Sequence, residues 1–255
     1  MSRRKYRVIE KEKFLSRIHL FQSLSEAELA QLEPATPMEV VKKGTIISSP
    51  HLELKRLFLI KAGKVRLYKL SADGKELTID LLSTGHVFGE IGSFTISSTN
   101  MYAEAWEDSV ICSIDKGQFE ELMLEKPRLA LHFIEIVSNR LREVEEMMEL
   151  MAYGSVRQRL LYLLDRLCEK YGGERQADAP EWIELAVNLT HQELATMMGC
   201  IRETVTETLH ELTVEGIVKK AGLRKPLWVH RERLREALAP HSFTNVFFTR
   251  MDKRK

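Results

Sequence analysis

Between Leu189 and Val218 the chain reads LTHQELATMMGCIRETVTETLHELTVEGIV, and this stretch holds the residues best spaced for chemistry. Thr190 followed by Glu193 forms a capping box, which starts a helix expected to end near Met198. Gly199 supplies the positive φ of a tight turn. A second helix is expected from about Ile201 to Val214, stopping at Gly216. Leu194, Met197 and Met198 on the first helix and Val205, Leu209 and Leu212 on the second supply facing apolar surfaces. The segment therefore reads as a helix-turn-helix. In that arrangement the leading residues of the second helix, Arg202, Glu203, Thr206 and Glu207, face the DNA major groove. An arginine donates two hydrogen bonds to O6 and N7 of guanine, and a glutamate accepts one from N4 of cytosine. Thr190, His191 and Gln192 open the first helix, where N–H groups and side chains can hold a phosphate. Beyond the pair, Ile217 to Val229 reads as a two-stranded wing with Lys219, Lys220, Arg224 and Lys225 near its tip. A plain helical hairpin also carries Arg and Glu on its solvated face. Capping box, glycine turn, base-reading side chains and basic wing coincide in one segment, and this favours double-stranded DNA as the partner.

Those elements need a scaffold. The chain has 255 residues, 38 Lys+Arg, 37 Asp+Glu and 44% apolar residues, enough for two domains with packed cores and too apolar for intrinsic disorder. No apolar run approaches the roughly 18 residues a membrane span needs, so no membrane partner is expected. The opening MSRRKYRVIEKEKF has charges with no apolar stretch behind them, unlike a secretory signal. Cys112, Cys168 and Cys200 are too far apart for a disulfide framework or a CxxC metal pair, which points to a reducing, cytoplasmic compartment. Residues 153–255 carry a net charge of +3 and residues 1–152 a net of −2, a mild pull of the C-terminal part toward a polyanion. A P-loop, GxSxG, HExxH or dinucleotide fingerprint is missing, and Glu, Asp and His are scattered, so an enzyme is not expected.

Along the chain, residues 11–33 show helical spacing, with Ser25 and Glu28 as a second capping box. From about 38 to 115 short β-rich runs follow: Glu39–Val41, Thr45–Ile47, Leu57–Ile60, Val65–Tyr68, Leu77–Leu82 and Val110–Ile114. Glycine turns separate them, and Asp73-Gly74 is a hairpin signal. Many short strands at this spacing argue for an antiparallel sandwich or barrel. Asp115 can cap a short helix, Lys116–Leu124. A stretch without Gly or Pro then runs to about Met151. Within it Ile134, Val137, Leu141, Val144, Met148 and Met151 step by 3 and 4 residues, an apolar seam expected to form a dimer interface. A helix packed on its own domain would carry such a stripe too. Gly154 marks a hinge, Val156–Tyr171 a helix, Glu174–Pro180 a polar loop and Ile183–Val187 a short strand. The expected organisation is α+β: residues 1–126 with N-terminal helices and an antiparallel β-roll (a jelly roll), 127–152 as a long dimerisation helix, 153–239 as a winged helix-turn-helix, and 240–255 as a tail.

Gly199-Cys200-Ile201-Arg202-Glu203-Thr204-Val205 resembles the recognition-helix signature of the Crp/Fnr superfamily of bacterial transcription regulators, which includes the cyclic-AMP receptor proteins. Phe88-Gly89-Glu90-Ile91-Gly92-Ser93-Phe94 is similar to that family's effector-pocket motif, and the order of roll, long helix and winged helix-turn-helix agrees over roughly residues 15 to 230. The resemblance implies a cyclic nucleotide-binding-like roll and a homodimer on a near-palindromic, TGTGA-like site, with one recognition helix per half-site and RNA polymerase as a further partner. Arg202 and Glu203 match the residues that read G and C. Glu207 stands where the cyclic-AMP receptor protein has arginine, so the half-site is expected to differ from that consensus at one or two positions.

The same resemblance places an effector pocket at Gly89, Glu90, Ile91, Asn100, Met101, Val144 and Glu145. In the cyclic-nucleotide binders an Arg-Ser pair follows the pocket motif, and its arginine pairs with the cyclic phosphate. Here neither Arg nor Lys occurs anywhere from residue 90 to 115, and a buried phosphate without a cationic partner is costly. Val144 and Glu145 replace the Thr-Ser that faces adenine. Cyclic AMP is therefore not the expected effector. Three separated cysteines exclude a four-cysteine iron–sulfur cluster. Haem stays open, with His86 and Cys112 as candidate ligands ahead of His51, His19 and Met38. Cys112 alternates with Val110 and Ile114 and fits a core position equally well. A small metabolite, or a constitutively active dimer without effector, completes the alternatives.

Overall fold

A computed structural model describes residues 18–22, 24–25, 27–28, 38–52, 56–91, 94–95, 101–176, 179–220 and 226–238. The chain divides into two compact units, residues 1–145 and 146–255. The 240–255 tail and most of the 11–33 stretch lie outside the described residues. The Ser25–Glu28 capping box lies within them: the Ser25 N–H donates to the Glu28 carboxylate at 2.8 Å.

Among its described residues the first unit holds nine strands: β1 Met38–Val41, β2 Ile46–Ser48, β3 Arg56–Ala62, β4 Lys64–Leu70, β5 Glu76–Ser83, β6 Val87–Ile91, β7 Phe94–Thr95, β8 Tyr102–Ala105 and β9 Ser109–Asp115. They form two antiparallel sheets, ordered β1-β9-β3-β6-β7 and β2-β8-β4-β5. The run Leu57-Phe58-Leu59-Ile60 is apolar at every position because β3 is covered on both faces. Leu57 and Leu59 pack with Cys112, Ile114, Phe119, Leu122, Leu129 and Phe133. Phe58 and Ile60 pack the other way, with Val65, Leu67, Phe88, Ala103 and Ile111 of both sheets. The β4–β5 hairpin closes at the Asp73-Gly74 turn, where Gly74 has φ 79°. Strands β6, β7 and β8 were not expected from sequence. Glycine in β6 and alanines with glutamate in β8 have low strand propensity, and their pairing partners supply what propensity does not.

Helix α1 (Lys116–Glu125) opens on an Asp115–Gln118 capping box. Helix α2 (Pro127–Tyr153) begins with proline at its first position, where the missing N–H costs no bond. Its early residues Leu129 and Phe133 are buried, whereas Ile134, Leu141 and Met148 are 58, 57 and 66% exposed. Val137 departs from the expected seam: it packs partly against its own unit's core. The division between the two units falls within α2, between residues 145 and 146.

In the second unit α3 (Val156–Tyr171) starts on a Ser155–Gln158 capping box. The expected loop at Glu174–Pro180 is instead a strand pair, β10 (Gly172–Gln176) and β11 (Ala179–Leu185). The polar, glycine-led sequence hides β10, whose order comes from backbone pairing with β11. Helices α4 (His191–Met198) and α5 (Arg202–Val214) follow, then strands β12 (Val218–Lys220) and β13 (Leu227–His230). The sheet order is β10-β11-β13-β12. Helix α6 (Arg231–Leu238), missed from sequence, buries only Leu234 among a charge-dense run.

Candidate nucleic-acid interface

Helix α4 is opened by the expected capping box: the Glu193 N–H donates to Thr190 Oγ1 at 3.2 Å, and the Thr190 N–H to the Glu193 carboxylate at 2.6 Å. It ends at Gly199, with φ 62° and ψ 39°, the left-handed conformation that lets the chain turn at once into α5. Leu194, Ala195, Met197 and Met198 of α4 are buried, as are Val205, Thr208, Leu209 and Leu212 of α5. The buried Thr208 hydroxyl is satisfied by the Thr204 carbonyl at 2.8 Å.

The opposite side of α5 is open. Arg202, Glu203, Thr206, Glu207 and His210 are all exposed, at offsets of 1, 4, 5 and 8 from the first, and so share one helical face. His210 was not anticipated; its offset of 8 from Arg202 was the available signal. Gln192 is also exposed at the start of α4. Thr206 and His191 are not separate contacts, because His191 Nδ1 lies 2.8 Å from Thr206 Oγ1 and the same hydroxyl donates to the Arg202 carbonyl at 3.0 Å. They brace α4 against the first turn of α5. Burial, then the charges of Lys220 and Arg202, hold the His191 imidazole below its ordinary pKa.

The two lysines of the wing part company. In the β12–β13 register Lys219 stands opposite Trp228 and Lys220 opposite Leu227, so the two side chains point to opposite faces of the sheet. Lys219 Nζ sits 4.0 Å from the Trp182 ring centroid and 5.6 Å from that of Trp228. Lys220 points the other way and, with His191, lines a largely leucine-walled cavity that includes Leu164, Leu194 and Leu209. Of the two, only Lys220 shares its surroundings with the residues at the start of α4 and α5. Arg224 and Lys225 lie outside the described residues.

Three arginines that sequence reasoning missed hold this arrangement. Arg157 of α3 makes a two-pronged pair with Glu215 at the end of α5, at 2.7 and 2.6 Å. Arg233 donates to the carbonyls of Glu215 and Gly216 at 3.2 and 3.3 Å. Arg159 donates to the Met198 carbonyl at 3.2 Å, just before the turn. Carboxylate and carbonyl partners so distant in sequence leave no local spacing to read.

Two family models match the chain, a cyclic nucleotide-binding domain over residues 38–126 and a Crp-like helix-turn-helix domain over residues 158–237. The cyclic AMP receptor protein of Thermus thermophilus is 31% identical over 163 residues, covering 64% of this chain and 70% of that protein. The chain belongs to the Crp/Fnr family. The probable transcriptional regulator flp of Lacticaseibacillus casei is 27% identical over 206 residues, 80% of this chain and 89% of that protein. A solved CooA variant from Carboxydothermus hydrogenoformans superposes with a TM-score of 0.71 at 24% identity, covering 87% of this chain and 94% of that one, which establishes the shared fold. This Crp/Fnr member is thus a DNA-binding transcription regulator with a cyclic nucleotide-binding-like sensor domain.

The expected effector pocket is only partly brought together. Gly89 is buried at φ 113°, and a Cβ there would collide with the Arg56 carbonyl, so glycine is required by the close approach of β6 to β3. Glu90 and Ile91 belong to β6, with Glu90 opposite Thr95. Met101 packs against the core between the sheets. Asn100 lies outside the described residues. Val144 and Glu145 are exposed on α2. A cation absent from the expectation, Arg140 of α2, is paired with Asp80 of β5 and with Glu143.

Among the haem-ligand candidates, Cys112 is 2% exposed, opposite Leu59 in the sheet, and packs in the core. His86 Nδ1 lies 3.1 Å from the Ser83 carbonyl, and its ring meets that of His19 edge-on at 5.0 Å. Met38 Sδ accepts from Lys61, and His51 is exposed. Among the described residues no three His, Cys, Asp or Glu side chains converge as a metal set, and no helix is long and apolar enough to cross a membrane.

Proposed function

We propose that the protein is a cytoplasmic, homodimeric regulator that binds double-stranded DNA at a near-palindromic, TGTGA-like site and works with RNA polymerase, acting by binding rather than catalysis. The observation that carries this is the open face of α5, where Arg202, Glu203, Thr206 and Glu207 stand together on a helix braced by α4, α3 and α6. Arg202 reads a guanine and Glu203 a cytosine; Glu207, carboxylate where a family member carries arginine, shifts the preferred sequence. The dimer reading is supported by exposed Ile134, Leu141, Val144, Met148 and Met151 on α2, apolar side chains that a second copy would remove from water. The β-roll senses an effector other than cyclic AMP. Support for this is the lack of any Arg or Lys from 90 to 115, and the engagement of Arg140 by Asp80 and Glu143. The effector is haem with its gas ligand or a small metabolite.

Selection of duplexes from a random pool by the full chain tests the DNA reading. A palindromic consensus with G and C at fixed positions of each half is expected, and recovery of no consensus would overturn it. Mass analysis of the freshly purified protein tests the sensor reading, with bound cyclic AMP as the result that overturns it.

A further inference from the structure

His191 contributes more than a capping-turn side chain. Its Nδ1 is 2.8 Å from the Thr206 hydroxyl, which has one proton and directs it to the Arg202 carbonyl at 3.0 Å. The hydrogen-bond network therefore assigns Nδ1–H as donor and leaves the lone pair of the neutral ring on Nε2. Nε2 makes no hydrogen bond among the described residues. The charged groups acting on the ring are two cations, Lys220 from β12 and Arg202 from α5. The carboxylate of Glu193, on its own helix, is turned back onto the Thr190 N–H. From α3, β11 and β13 the pocket beside the ring receives only Leu164, Leu167, Leu185 and Leu227. Burial and the two cations keep the free imidazole uncharged at neutral pH.

We propose that His191 and Lys220 form a proton-linked phosphate clamp, in which a DNA backbone phosphate is held by Lys220 Nζ and by His191 Nε2, the latter taking up a proton from solvent as the phosphate arrives. This rests on the DNA-binding reading above. A neutral Nε2 presents a lone pair to a phosphate oxygen, which repels it. A protonated Nε2 donates a charge-assisted hydrogen bond. The phosphate charge offsets Lys220 and Arg202, so the complex stabilises the imidazolium that the free protein disfavours. Nδ1–H stays on Thr206 in both states, so protonation leaves the α4–α5 brace and the orientation of Arg202 intact. The clamp makes affinity for DNA rise as pH falls.

The test is calorimetry of the full chain binding a duplex with two TGTGA-like half-sites, in two buffers of different ionisation enthalpy at one salt concentration. Uptake on the order of one proton per protomer is expected near neutral pH, with Kd tightening by up to about tenfold per protomer for each pH unit between about 8 and 6. His191→Arg, permanently charged, should bind with no uptake and little pH slope. His191→Gln should bind more weakly, also without uptake. Binding by the wild type without proton uptake overturns the clamp, and needs no variant to be folded. Uptake by His191→Gln equal to wild type overturns it too, by placing the proton on another group. Failure to bind any duplex at any pH overturns the DNA reading along with it.

Discussion

The register of β12 against β13 separates the contributions of two adjacent lysines. Lys220 stands on the side of His191 and Arg202, while Lys219 lies over the indole of Trp182 at 4.0 Å and near that of Trp228 at 5.6 Å. Replacing Lys220 by alanine removes one phosphate contact per protomer. For a dimer on duplex DNA the slope of log K against log salt should become shallower by about 2, since each contact contributes close to 0.9. The loss should be the same for specific and scrambled duplexes, because phosphates carry no sequence. Replacing Lys219 by alanine should leave that slope alone and lower the stability of the second unit by about 0.5–1 kcal/mol, the range of a partly exposed cation–π contact. Fluorescence anisotropy over a salt series, with urea melts of each variant, reads both numbers. The reasoning is refuted if the two substitutions change the salt slope equally, since that would put both ammonium groups on the DNA side.

Arg202→Ala should cost ~1–3 kcal/mol of specific binding per half-site while non-specific binding persists, measured against duplexes with the cognate guanine replaced; unaltered discrimination would remove Arg202 as the base reader. Its exposed side chain should make the same substitution neutral to folding within about 0.5 kcal/mol, checked by thermal melts. Leu141→Asp, at an exposed apolar position of α2, should give monomers by light scattering and weak DNA binding, whereas dimers at micromolar concentration would locate the interface elsewhere. Acid should weaken the fold through two histidines. His19, lowered by burial and then by His132, and His191, lowered by burial and then by Lys220 and Arg202, both sit below the ordinary value of 6.5. The unfolded chain then binds the extra protons, so stability is full above 6.5 and falls as pH drops below it. Melts between about pH 7.5 and 5.5 should show the decline, reduced in a His19→Gln variant; a pH-independent midpoint would contradict it.

How the chain reads as a sequence depends on the range of the forces involved. Local backbone chemistry is legible wherever it is sufficient. Thr190 with Glu193, Ser155 with Gln158 and Asp115 with Gln118 satisfy helix-end N–H groups within four residues, and Gly199 turns left-handed, so the helix-turn-helix and its exposed Arg202 face follow from residue types and spacing. The Leu57–Ile60 run likewise announces a strand, and the fold covers it on both sides. Pairing across the chain is a different matter. Strands β10 and β8 are set by backbone pairing with partners elsewhere in the chain, so their composition conceals them. Lys219 and Lys220 look equivalent until the hydrogen-bond register of β12 on β13 sends one to Trp182 and the other toward His191, because a strand alternates faces at every residue. Val137 fits the seam of α2 by spacing but is drawn to the core beside it. The link from His191 to Thr206, and the grip of Arg157 on Glu215, exist only because the chain folds residues 15 and 58 positions apart into hydrogen-bond distance. Such contacts come from packing the elements together, and so only the tertiary structure decided them.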